Sequence, residues 1–156
     1  MDVLIVENDH LQHEWMIEAL RRRFPRSGIT LIKTELEFCN RLEELAANPP
    51  DVIIMDVMLQ WTTPSEHMKK PPREVIEGSH HMAGLRCEER LRKLEGTKNV
   101  PVILYTVLEQ ADLEHRFGGV IPEHIKHLRK ESDPEPLFTL IQDVTELPHL
   151  HQHQHQ

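Results

Sequence analysis

The sequence of 156 residues contains only two cysteines, no long apolar run and no excess of positive charge. No apolar run approaches the about 20 residues that a membrane-spanning helix requires, so we expect no such helix. The formal net charge of −8 argues against nucleic-acid binding through a broadly basic surface. The best local basic patch, Arg21-Arg22-Arg23 with Arg26, better fits the last turn of a helix, where positive side chains suit the helix dipole.

Cys39 and Cys87 both lie within helical patterns and are not part of a Cys-x-x-Cys arrangement. We interpret them as small buried residues of a protein in a reducing compartment. Met1 leads directly into a strand pattern with Asp2 beside it, which is not the pattern of a signal peptide. These features predict a cytoplasmic protein.

The length suits one domain with a proper core and hardly suffices for two. Apolar residues make up 38% and charged residues 28% of the chain, which is typical of a soluble globular protein. We expect a single domain over residues 1–148. Residues 149–156 are rich in His and Gln and are interpreted as a disordered tail or a tag, although their imidazoles could also bind metal.

Five short apolar runs alternate with segments of helical periodicity. The runs cover residues 3–6, 29–32, 52–56, 102–105 and 125–128, and the helical patterns lie near 11–20, 38–46, 83–94, 108–117 and 134–144. Asp9 is a suitable N-cap for the first helix, Asp133-Pro134 opens the last, and Gly96 is expected to end the third. Because parallel strands need crossover connections, the alternation predicts a five-stranded parallel sheet with helices on both faces.

Residues 57–81 interrupt this alternation, since a loop between a strand and a helix usually has about 2–6 residues. Two interpretations stay open for this insertion. It is either an interaction arm or a disordered excursion, as its proline and polar content suggests. The apolar anchors of an arm would be Trp61, Met68, Val75 and Ile76. A metal cluster of His67, His80 and His81 is disfavoured, because neither cysteine nor tight ligand spacing supports it.

Polar residues follow the predicted strands at their carboxyl ends, where parallel sheets form their binding sites. They are Glu7-Asn8-Asp9 after the first strand, Asp56 at the end of the third, Thr106 after the fourth and Lys130 after the fifth. Each residue alone has an ordinary explanation as a cap, a strand end or a solvated charge. Asp56 is the most informative, because a carboxylate that ends a fully apolar strand loses solvation unless partners compensate. The joint placement predicts a site.

Four segments that carry these residues resemble those of response-regulator receiver domains. They are VLIVEND (3–9), PDVIIMDVMLQ (50–60), PVILYT (101–106) and HLRK (127–130). The resemblance spans roughly residues 2–147, apart from the insertion. It implies a doubly wound, flavodoxin-like (βα)5 fold with strand order 2-1-3-4-5. It also implies a phosphoacceptor signalling domain rather than an enzyme with turnover.

By this resemblance, Asp56 would accept a phosphoryl group from a phosphohistidine on a histidine kinase or a phosphotransfer protein. A Mg²⁺ ion would neutralise phosphoryl charge, a role that suits a few oxygen ligands and several waters. Its ligands would be Glu7, Asn8, Asp56 and the backbone carbonyl of Met58.

The resemblance also implies roles for the last two strands. Thr106 would hydrogen-bond the phosphoryl oxygens, and Lys130 would pair with one of them. Thr106 and His127 would form a switch that alters the surface around the fourth helix and fifth strand for an unknown output protein. His127 stands where many receivers have a rotating aromatic, so the switch could be pH-sensitive, or His127 could be simply exposed. A homodimer through the fourth helix, fifth strand and fifth helix is a further implication.

Three positions depart from the family pattern. Asn8 replaces the second residue of the usual acidic pair, while Gln60 and Glu131 replace prolines after the phosphoacceptor and the lysine. The charged groups of the site then sum to −1, against −2 with an Asp at position 8. We therefore expect weaker binding of Mg²⁺ than in typical receivers.

Three functions are compatible with these features. The first is a stand-alone receiver in a phosphorelay, which signals through a separate protein. The second is a pseudo-receiver, a phosphorylation-independent protein-interaction module. The third is a metal-dependent phosphatase with a strand-end Asp nucleophile, which is remote because the first strand lacks an Asp-x-Asp arrangement.

Overall fold

Five parallel strands form one sheet in the computed structural model, which describes residues 1–62, 82–123 and 125–145. The strands are β1 (Asp2–Val6), β2 (Gly28–Ile32), β3 (Val52–Met55), β4 (Val102–Thr106) and β5 (Ile125–Arg129). Their order in the sheet is β2-β1-β3-β4-β5, and every neighbouring pair is parallel. The predicted strand order and parallel sheet are therefore confirmed.

Helices follow each strand, although one predicted helix is divided. They are α1 (His10–Arg23), α2 (Glu35–Asn40), α3 (Leu42–Ala47), α4 (Ala83–Arg92), α5 (Gln110–Arg116) and α6 (Glu135–Thr145). The single helix expected near 38–46 is wrong in detail, because Arg41 leaves helical geometry at φ −104° and ψ 7° between α2 and α3. Its guanidinium bridges the two helices by pairing with Glu37 (3.7 Å) and Glu44 (3.3 Å).

The core has two layers, one on each face of the sheet. Alternate residues of a strand point to opposite faces, so each strand contributes to both layers. Leu4, Ile53 and Leu104 pack with residues of α2 to α5, whereas the alternate residues of the same strands pack with α1 and α6. The second layer includes Val3, Ile5, Ile54, Tyr105, Met16, Leu20, Phe138 and Ile141. The expectation of helices on both faces is confirmed.

The predicted helix boundaries hold at α1 and shift elsewhere. Asp9 caps α1, since its Oδ1 accepts a hydrogen bond from the Gln12 N–H at 3.0 Å. The last helix, α6, begins at Glu135, slightly later than expected, and Asp133 still accepts a hydrogen bond from the Glu135 N–H at 3.0 Å. Gly96 does not end α4, which stops at Arg92. A Cβ at Gly96 would lie 2.0 Å from the Ala46 carbonyl oxygen, so this glycine allows close packing against α3 instead.

Some expectations fall outside the described residues. They concern the insertion beyond Thr62, the histidines His67, His80 and His81, the apolar residues Met68, Val75 and Ile76, and the domain end with its tail. Within the described ranges, no helix has the length and apolar character needed to cross a membrane.

A buried ion cluster joins α2 to α4. Glu35 has no exposed surface and receives two hydrogen bonds from Arg86, at 2.7 and 2.8 Å, and one from Arg90 at 2.8 Å. The backbone N–H of Glu35 also donates to the Gln60 carbonyl at 2.9 Å, and the next N–H donates to the carbonyl of Trp61. The start of α2 therefore fixes both the chain that enters the insertion and the helix that follows it.

Replacing Glu35→Gln is expected to lower the free energy of unfolding by about 3 kcal/mol, because the largely buried guanidinium groups of Arg86 and Arg90 lose the negative charge of Glu35. Urea denaturation at neutral pH measures this change. The matched control is Glu43→Gln on exposed α3 surface, which should change stability by less than about 0.5 kcal/mol. Equal effects of the two substitutions would contradict the role of the cluster.

Candidate functional site

The carboxyl edge of the sheet brings the predicted strand-end residues together. Backbone hydrogen bonds continue the strand pairing past the strand ends and fix these residues relative to one another. The Glu7 N–H donates to Ile32 (3.0 Å), the Asp56 N–H to Val6 (3.0 Å) and the Lys130 N–H to Thr106 (2.8 Å). The site residues therefore follow strands that are neighbours in the sheet, and they lie at its carboxyl edge.

The ammonium group of Lys130 bridges two carboxylates. Its Nζ lies 2.8 Å from Oδ2 of Asp56 and 2.8 Å from Oε1 of Glu7. The side chains of Lys130, Asp56 and Glu7 are only 10%, 8% and 3% exposed. The three groups thus form a nearly buried cluster with a formal charge of −1.

The cluster shifts the pKa values of two of its members. Burial, together with the charge of Asp56, raises the pKa of Glu7 to about 7, although Lys130 opposes this shift. Burial disfavours the charged form of Lys130, but the charges of Asp56 and Glu7 outweigh it and raise the pKa of the lysine. Near neutral pH, burial and the charge of Asp56 therefore favour the protonated form of Glu7.

Both oxygens of Asp56 are held in place. Oδ2 pairs with Lys130, and Oδ1 accepts a hydrogen bond from the Met58 N–H at 3.3 Å. The following loop is pressed against the start of α4, where the Gly84 N–H donates to the Val57 carbonyl at 2.7 Å. A Cβ at Gly84 would lie 2.3 Å from the Asp56 carbonyl oxygen, so only glycine allows this approach.

Gly84 holds the backbone next to Asp56 in place, and its role was not predicted from the sequence. It lies inside a helical pattern, where glycine costs roughly 1 kcal/mol relative to alanine. Such a glycine often has a packing reason, and that was the available signal. The partner loop, however, lies 27 positions earlier in the chain, across the insertion.

The predicted switch residues are linked through Leu108. Thr106 is fully buried at the end of β4, and its Oγ1 lies 3.4 Å from the Leu108 N–H, which donates to it. The half-buried His127 places Nε2 3.2 Å from the Leu108 carbonyl oxygen, so this nitrogen is the donor. The loop after β4 therefore contacts both residues.

Asn8 is turned towards β2. Its side-chain amide donates to the Lys33 carbonyl at 3.1 Å, whereas the next backbone N–H, that of Asp9, donates to Oε2 of Glu7 at 3.1 Å. Asp9 is also engaged as the cap of α1. The predicted acidic pair thus contributes one residue, Glu7, directly to the cluster with Lys130.

The donor set fits a Mg²⁺ ion. The two nearly buried carboxylates of Glu7 and Asp56 share the ammonium group of Lys130, so the cluster keeps a formal charge of −1. Mg²⁺ binds through one or two carboxylates and keeps several waters, so Glu7 and Asp56 are suitable ligands.

An open groove of about 620 Å³ adjoins the cluster and reaches Lys130. Leu11 of α1 and Val107 after β4 line it and are 79% and 56% exposed. Trp15 adds a further apolar surface. The mouth of the site is therefore bordered by apolar side chains that face solvent.

The raised pKa of Glu7 predicts how stability depends on pH. Between pH 4.5 and about 7, the folded chain binds a proton at Glu7 that the unfolded chain has lost. The free energy of unfolding should fall as pH rises through this window, by an amount on the order of 2 kcal/mol. Glu7→Gln should remove this decrease, so that the variant is more stable than the unmodified protein at pH 8.

Urea denaturation at pH 5 and pH 8 with a chelator tests this difference. Glu18→Gln, on exposed α1 surface, serves as the matched control and should retain the pH dependence of the unmodified protein. A Glu7→Gln variant with an unchanged pH dependence would show that the pKa of Glu7 is not raised in the folded protein.

Comparison with known proteins gives a match in shape only. No family model and no curated protein matches the sequence. A histidine-kinase receiver domain from Clostridium thermocellum matches with a TM-score of 0.67 and 16% identity, over 94% of this chain and 98% of that one. The receiver domain of a sensor histidine kinase from Pseudomonas aeruginosa PAO1, described with a magnesium ion in the active-site cleft, matches at 0.62 and 20%, over 94% and 98%.

A third structure, the phosphorylated cyanobacterial phytochrome response regulator RcpA, matches with a TM-score of 0.59 and 17% identity, over 93% of this chain and 91% of that one. These matches cover nearly the whole of each matched structure and agree with the parallel sheet and its strand order. The chain therefore has the fold of response-regulator receiver domains.

Proposed function

We propose that this chain is a receiver of a two-component or phosphorelay system that accepts a phosphoryl group on Asp56. The observation that carries the proposal is the buried cluster in which Lys130 pairs with Asp56 and Glu7, next to Thr106. A histidine kinase or phosphotransfer protein would supply the phosphoryl group. Similarity to receiver domains of sensor kinases supports this class of partner.

The reaction joins an Asp56 carboxylate oxygen to phosphorus and breaks the phosphorus–nitrogen bond of the donor phosphohistidine. The donor imidazole leaves with the bonding electrons and gains a proton. Lys130, already beside Asp56, would pair with a phosphoryl oxygen, and the Thr106 hydroxyl would hydrogen-bond another. The Met58 N–H keeps the carboxylate oriented.

A bound Mg²⁺ would neutralise the charge of the transferred group. Glu7, Asp56, the Met58 carbonyl and the amide oxygen of Asn8 are the proposed ligands. Asn8 would have to give up its hydrogen bond to the Lys33 carbonyl or keep it while its oxygen faces the ion. This requirement adds to its missing charge as a reason for weak binding.

The apolar border of the groove supports a protein as the phosphoryl donor. Leu11 and Val107 are exposed beside Lys130, and exposed apolar side chains next to a site often mark a protein contact. The output protein would contact the surface around α5 and β5, where Leu108 and His127 lie, and the same face with α6 is the proposed homodimer surface. A cytoplasmic location and a domain over residues 1–148 remain part of this proposal.

One observation favours the alternative of a phosphorylation-independent pseudo-receiver. Asn8 carries no charge and its amide is bound to the Lys33 carbonyl, so position 8 adds no negative charge to offset that of Lys130, which pairs with both carboxylates. In this alternative, the chain acts only through protein contacts.

Incubation with Mg²⁺ and a small acyl phosphate should add one phosphoryl group to the intact mass. Asp56→Asn should abolish the addition, because the acceptor oxygen is lost, whereas Asp112→Asn on exposed α5 should retain it. Absence of any addition, together with no Mg²⁺ binding by calorimetry, would overturn the receiver proposal in favour of the pseudo-receiver.

Asn8→Asp should strengthen Mg²⁺ binding by roughly tenfold, since it makes the formal charge of the site −2 and a gain of 1.4 kcal/mol equals a factor of ten. Calorimetric titration of the unphosphorylated protein measures the change. Asn99→Asp adds the same charge in the exposed turn before β4, at the opposite edge of the sheet, and should leave the affinity unchanged. Equal affinities of all three proteins would show that position 8 does not belong to the metal site.

A further inference from the structure

Three side chains converge on the first turns of α1, outside the Lys130 cluster. His10, His13 and Glu14 occupy positions i, i+3 and i+4, which share one face of a helix. One ligand atom from each lies within 4.8 Å of the other two. The His10 and His13 rings meet edge to face with centroids 5.1 Å apart, and Nδ1 of His13 lies 3.8 Å from Oε2 of Glu14.

His13 is the unusual member of this group. The residue is 2% exposed, and within the described part of the chain its buried Nδ1 has no hydrogen-bond partner. Buried polar atoms almost always have a partner, and an exception needs an explanation such as an ion. Burial, followed by the charges of His10 and Lys33, lowers the pKa of His13. A lower pKa favours the neutral imidazole, which is the form that binds metal.

We propose that His10, His13 and Glu14 bind a divalent transition-metal ion, for which Zn²⁺ is the best match. Two imidazoles and one carboxylate, with water as a fourth ligand, make a donor set typical of zinc. Ligand distances of about 2.0–2.2 Å require the three donor atoms to move closer together than they are now. The side chains of His10 and Glu14 are exposed and can move towards the ion, whereas buried His13 stays in place.

The surrounding charges predict a site of moderate affinity. Lys33 and the positive end of the α1 dipole oppose a cation, whereas Glu14 and Asp9 favour one. The proposed site shares no ligand with the Mg²⁺ site. It also offers imidazole nitrogen, which suits zinc and not the hard, oxygen-seeking Mg²⁺. The two metals should therefore bind independently.

Calorimetric titration with Zn²⁺ tests the proposal on the full chain. The histidines His149, His151, His153 and His155 are replaced by Gln, so that the imidazoles of the tail do not compete for the ion. His10→Ala and Glu14→Gln should each weaken the binding of one Zn²⁺ by at least about tenfold, because each removes one of three ligands. His115→Ala on exposed α5 is the matched control and should leave the affinity unchanged, and excess Mg²⁺ should not compete.

A second readout identifies the ligand directly. Zn²⁺ should shift the imidazole ¹⁵N resonances of His13, and the shift should be lost in His10→Ala, whose exposed position does not threaten folding. Affinities that are the same in the His10→Ala, Glu14→Gln and His115→Ala proteins would overturn the proposal. A Zn²⁺-induced shift that is confined to other histidines would overturn it as well.

Discussion

The ion cluster around Lys130 is the interaction on which the functional edge of the sheet depends. Its ammonium group contacts the carboxylates of Asp56 and Glu7 at 2.8 Å each, and its backbone N–H binds Thr106. Burial of the Glu7 carboxyl, together with the charge of nearby Asp56, raises the pKa of Glu7 to about 7. The cluster keeps a formal charge of −1, and the proposed Mg²⁺ ion would supply positive charge beside Asp56, the proposed phosphoacceptor.

Much of this arrangement could be predicted from the sequence. Short apolar runs that alternate with helical periodicity predict a parallel sheet, and the carboxyl ends of parallel strands lie at one edge. Glu7, Asp56, Thr106 and Lys130 were therefore expected at one edge of the sheet once the strands were located. The strand order came from the resemblance to receiver domains rather than from the periodicity, and the structure agrees with it.

The parts that could not be predicted depend on contacts between distant segments. The direction of the Asn8 amide is set by a carbonyl 25 residues later, and the buried Glu35 is matched by arginines more than 50 residues away. Gly84 likewise has a clear function only beside the backbone of Asp56. These residue types carry no local periodic signal, so only the folded chain identifies their partners.

We propose that Asp56, assisted by Lys130 and a Mg²⁺ ion, forms a phosphoryl-binding site. Fluorine NMR with beryllofluoride, a stable mimic of a phosphoryl group on a carboxylate, tests this proposal. We expect a bound fluoride signal that requires Mg²⁺ and is lost in Asp56→Asn. A bound signal that persists in Asp56→Asn, or the absence of any bound signal at saturating Mg²⁺, would contradict it.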